Sequence, residues 1–117
     1  MTRAAKWPKP PYEFPVPLYP GRVYVFQSRD DYNAAYKYLG IDRVVGADTQ
    51  GRCEALKDKR GDTIYLVGEF VGRTSLLCHE LNHCAFMVLA YVGIDARNDS
   101  GEAFCYLQQA MLMQCGV

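Results

Sequence analysis

Every proline in this chain lies within its first twenty residues: Pro8, Pro10, Pro11, Pro15, Pro17 and Pro20. Proline fixes φ and lacks the backbone donor, so residues 1–20 can supply neither a helix nor a central strand. This segment reads as an extended arm. It also carries Trp7, Tyr12, Phe14 and Tyr19, which a solvated linker does not favour. The arm is therefore expected to pack along its own domain or against a protein partner. Residues 21–117 then make one domain, because a chain of 117 residues suffices for one core and not for two. Half of the residues are hydrophobic, enough to build that core.

Charge narrows the partners. Thirteen basic residues balance thirteen acidic ones, and no stretch gathers one sign. Arg52, Lys57, Lys59 and Arg60 are interleaved with Glu54, Asp58 and Asp62, which reads as a solvated hairpin tip rather than a phosphate footprint. Nucleic acid is not expected as a partner. The longest apolar run, Cys84 to Val92, has nine residues and cannot cross a bilayer. The start of the chain lacks the apolar core of a signal peptide. Of the five cysteines, Cys78, Cys84, Cys105 and Cys115 sit in apolar segments with helical character, and Cys53 is the fifth. Buried free thiols in a reduced, cytoplasmic setting suit them better than a disulfide framework.

The coarse order of elements follows from periodicity and caps. Arg22 to Gln27 reads as a strand, and Ser28 as the N-cap of a helix ending at Leu39 before Gly40. Arg43 to Ala47 and Arg52 to Lys57 read as paired strands around a turn at Asp48 to Gly51, and Thr63 to Val71 as the best strand. A helix capped by Thr74 or Ser75 runs to Val92, and another opens near Asp99 or Ser100 and runs to Cys115. The predicted class is α+β, with helices on one face of a small, mostly antiparallel sheet.

The chemistry concentrates in His79-Glu80-Leu81-Asn82-His83, which holds both histidines of the chain. Four residues advance a helix by slightly more than one turn, so both imidazoles point the same way and can hold one ion. Glu80 falls on the adjoining face, where a carboxylate can act as general base on a water. The helix around them is apolar, and four polar side chains left unpaired there would cost about 1–3 kcal/mol each. A bound metal ion, with zinc the expected one, and an opening to solvent would resolve that conflict.

A catalytic zinc needs a third protein ligand, and no third histidine exists. Glu102 is the candidate, early on the following helix, with Tyr106 one turn on along the same face to support a ligand or an oxyanion. Asp95 and Asp99 are alternatives in the connecting loop. Two other assignments stay open: Glu102 as the reciprocating residue of a capping box begun by Asp99, and Tyr106 as an ordinary half-buried aromatic.

These residues resemble the gluzincin metallopeptidases. His79-Glu80-Leu81-Asn82-His83 matches their zinc helix, Glu102 their downstream glutamate, and Asp99 to Phe104 the run around the third ligand. His-Glu-x-x-His followed by Glu-Ala-x-x-Tyr-Leu is also similar to small metallopeptidases of tailed bacteriophages. The resemblance implies a minimal zincin-like domain in which His79, His83 and Glu102 bind zinc and Glu80 activates the water. It also implies that Thr63 to Val71 is the edge strand along which a peptide substrate lies. The implied activity is peptide or related amide hydrolysis, in host cytoplasm or virion if phage-encoded. The competing expectation is a metal-stabilised structural or binding protein, such as a virion component joined to neighbours through its arm. A reactive-thiol role for Cys78 or Cys84 is set aside, since neither has a basic neighbour beyond the histidines.

Overall fold

The computed structural model describes residues 5–117; the first four residues of the predicted arm lie outside that range. Four strands form one sheet: β1 (Tyr12–Pro15), β2 (Arg22–Phe26), β3 (Gly51–Lys57) and β4 (Thr63–Glu69), in the order β1-β2-β4-β3. β1 pairs antiparallel with β2, and β3 antiparallel with β4, while β2 and β4 run parallel with Val23 opposite Tyr65 and Val25 opposite Val67. Three helices complete the chain: α1 (Arg29–Tyr38), α2 (Thr74–Tyr91) and α3 (Glu102–Gln114). The α+β class holds.

The helices cover both faces of the sheet, not one. Val23, Val25, Tyr65 and Val67 pack against Leu81, Cys84, Val88, Leu107 and Met111 of α2 and α3. Phe26, Ile64 and Leu66 point the other way and pack against Tyr32, Ala35 and Tyr36 of α1. The central strands β2 and β4 are apolar at odd and even positions alike, and such strands must be covered on both sides.

The predicted strand at Arg43 to Ala47 does not form. That segment is irregular, held by the Val45 N–H donating to Asn33 Oδ1 at 2.7 Å. β3 instead pairs along its whole length with β4, through a turn in which the Asp58 carboxylate accepts the N–H groups of Arg60 and Asp62. Gly51 accordingly begins a strand rather than ending a turn. Thr63 to Val71 also changes position: β4 is flanked on both sides, so β3 is the open edge beside α2. Of the charged residues assigned to a hairpin tip, Arg52 and Glu54 lie within β3, away from the turn.

The arm is not separate from the domain: its β1 joins the sheet, and its Phe14 and Val16 join the core. β1 is an edge strand, where Pro15 costs no ladder bond, and Trp7 packs edge-to-face on Tyr24 and Tyr38 at 4.9 and 5.3 Å. Among the described residues, no helix is long and apolar enough to cross a membrane.

Candidate metal centre

The helix that carries the histidines starts without the predicted side-chain cap. Neither Thr74 nor Ser75 caps it; Arg73 occupies the N-cap position and makes no side-chain cap bond. Glu69, at the end of β4 and 1% exposed, braces the turn that precedes the helix instead. Its Oε1 accepts the N–H of Val71 at 3.2 Å and of Arg73 at 2.6 Å, which ties the entry of α2 to the sheet. The sequence signal for it is a lone carboxylate closing an apolar strand just ahead of a helix.

From this anchored start, the core residues Leu77, Leu81, Cys84, Ala85 and Val88 fix the rotation of α2. His79 and His83 then emerge on the solvent side and Glu80 turns inward. The two Nε2 atoms stand 3.2 Å apart, with the rings nearly perpendicular at 85°. Glu80 is 6% exposed. Donor atoms of His79, Glu80 and His83 all lie within 4.8 Å of one another, the one such group among the described residues. Burial pushes the Glu80 carboxyl above its ordinary range, against the opposing pull of both imidazoles.

Gly51 makes room for this carboxylate. A Cβ there would sit 2.8 Å from Glu80 Oε2 and 3.1 Å from its Cγ. The sequence suggests a turn at Gly51, although a glycine leading a strand also signals close approach by another group. Gly51→Ala is expected to destabilise the fold by about 1–3 kcal/mol through this overlap, read as a lower urea midpoint. An unchanged midpoint would show that Glu80 moves aside freely.

Beneath the site, Cys53 of β3 meets Cys84 of α2. The hydrogen bond to the Cys84 thiol, together with burial, pushes the Cys53 thiol far above its ordinary value. Cys53 is thus a protonated, half-buried thiol; Cys84 and Cys115 are buried as expected, whereas Cys78 is half-buried and Cys105 exposed, against the expectation for these cysteines. Asn82 Oδ1 is buried without a hydrogen-bond partner.

Glu102 and Tyr106 are not brought to the histidines. They line an open hollow with Leu18 and Tyr19, in the connection from β1 to β2. His79 instead neighbours Gln50, just ahead of β3. β1 and β3 are opposite edges of the sheet, three strand spacings or about 14 Å apart. Burial of Leu107, Met111 and Cys115 turns Glu102 and Tyr106 to the opposite face of α3. Nor is Glu102 a capping residue: Asp99, Ser100 and Gly101 are all left-handed, and α3 starts without a side-chain cap. The alternatives fare no better, since Asp95 is engaged by Arg97 and Asp99 lines the same hollow as Glu102. Neither Tyr91 nor Tyr65 supplies a hydroxyl to the site. Tyr91 lies eight residues beyond His83, about 12 Å along the helix, and the Tyr65 hydroxyl is buried without a partner.

Comparison with known proteins gives no match: no protein-family model, no curated protein and no solved structure is similar to this chain.

Proposed function

We propose that α2 holds one zinc ion through His79 and His83, and that the protein hydrolyses peptides or related amides with Glu80 as general base. The spacing of the imidazoles carries this reading. Two nitrogens each about 2.0–2.1 Å from one tetrahedral ion stand about 3.3 Å apart, and the Nε2 atoms stand at 3.2 Å. Two imidazoles beside a carboxylate are also a donor set suited to zinc. When bound, the ion would polarise a carbonyl and acidify water. The chain supplies the rest. Glu80 can take a proton from water and return it to the leaving amine. The unpaired outer edge of β3, next to Gly51 and α2, offers backbone donors and acceptors to an extended peptide.

Zinc titration of wild type and His83→Ala tests the metal assignment. Zinc at about a hundred times its Kd stabilises a protein by about 2.7 kcal/mol, which for a domain of this size raises Tm by about 10 °C. The wild type is expected to show that rise and His83→Ala to lose it. A wild type whose Tm ignores zinc would remove the metal from the account.

A second reading, a metal-stabilised structural protein, is favoured by one observation: Glu102 lines a hollow with Leu18 and Tyr19 and does not join the donor group of His79, Glu80 and His83. Zinc binding with no hydrolysis of any peptide in a mixed-sequence library would select it.

A further inference from the structure

The outer surface of the α2–α3 layer is almost free of charge. Glu80, which is buried, is the one charged residue in α2, and Glu102 the one in α3. By contrast, the shorter α1 carries Arg29, Asp30, Asp31 and Lys37. On α2, Ser75, His79, His83, Phe86 and Ala90 form a single exposed stripe. Phe86 is 52% exposed and stacks on Phe104 with centroids 4.6 Å apart. Charges reappear only at the ends of the layer, at Arg73 and in the connection that holds Asp95, Arg97 and Asp99.

The histidine pair spans one edge of a tetrahedron, and among the described residues only Glu80 joins it as a further donor. Glu80 approaches from the buried flank, against Gly51. We infer that a second copy of this chain completes the site: two α2 helices meet across a two-fold axis through the ion, with His79 and His83 of each copy supplying four nitrogens. A two-fold interface brings a surface against itself. A charged stripe would repel its own image, whereas this one carries no charge. Phe86 lies on the same stripe, one turn from His83, and would supply the apolar contact beside the metal.

This inference rests on the metal assignment and not on hydrolysis; an ion enclosed by four imidazoles has no open position, so the dimer would be the closed form of the site. The test is sedimentation velocity of the full chain with zinc alone, from none to two equivalents, and again after EDTA. The expected result is a monomer in EDTA and a dimer complete at half an equivalent of zinc per chain. His83→Ala should remain monomeric. Phe86→Lys, which leaves the donors in place, should still bind zinc but weaken dimerisation by about tenfold or more. One zinc per monomeric chain overturns the shared site and leaves the metal assignment standing. No bound zinc overturns both, and a dimer of equal strength in EDTA overturns the role of the ion.

Discussion

Glu80→Gln is expected to bind zinc as the wild type does and to slow peptide hydrolysis by about 10²–10⁴-fold, the usual contribution of a positioned general base. Glutamine fills the same space against Gly51 and keeps an acceptor, but it cannot take a proton at neutral pH. Zinc content and kcat/KM on one peptide, measured on the same preparations, separate this role from that of a ligand. If Glu80→Gln loses zinc along with activity, the carboxylate binds the ion directly. If it keeps full activity, the base lies elsewhere.

The largest effect on stability is expected at Glu54, on the other face of β3. Its carboxylate accepts the hydroxyls of Tyr32, at 2.9 Å, and of Tyr36, and it pairs with Arg52 at 2.6 Å and Arg43 at 3.0 Å. Tyr32 and Tyr36 are buried. Glu54→Ala leaves both hydroxyls without this acceptor, at about 1–3 kcal/mol each. Tm should fall by about 10 °C or more. The pH dependence has a definite sign. Burial works to raise the Glu54 pKa, but hydrogen bonds from Tyr36, Arg52 and Tyr32 outweigh it and hold the carboxyl below its ordinary value. A depressed folded pKa stabilises above the unfolded value, near 4.3, and that contribution is lost as pH falls through the folded value. Wild type should lose stability across this acid range and Glu54→Gln should lose less. Parallel acid limbs in urea titrations would contradict the assignment.

Local chemistry made part of this molecule readable from its residues. Ser28 caps α1 as its position suggested, with Oγ accepting the Asp31 N–H, and the helix stops before Gly40. The convergence of His79 and His83 follows from helical pitch alone. What stayed hidden depends on partners far along the chain. Periodicity cannot say that β3 pairs with β4 rather than with Arg43 to Ala47, nor that α1 covers the second face of the sheet. A carboxylate in a strand looks the same whether it meets water or, like Glu54, two phenols from a helix some twenty residues earlier. Glu102 shows the limit most clearly. Its spacing from His83 fits a third ligand, but the rotation of α3 is fixed by Leu107, Met111 and Cys115, and that rotation sends Glu102 elsewhere.

The arm also has an optical consequence. Trp7 is the sole tryptophan of the chain, and its contacts are the rings of Tyr24, Phe26 and Tyr38, all on the α1 side of the sheet. Intrinsic fluorescence excited near the red edge of indole absorption therefore reports one event, the seating of the amino-terminal segment. The proposed metal site on α2 lies across the sheet from the fluorophore. Emission and zinc occupancy can thus be followed in the same cuvette as independent signals, and any correlation between them would measure communication through β2 and β4.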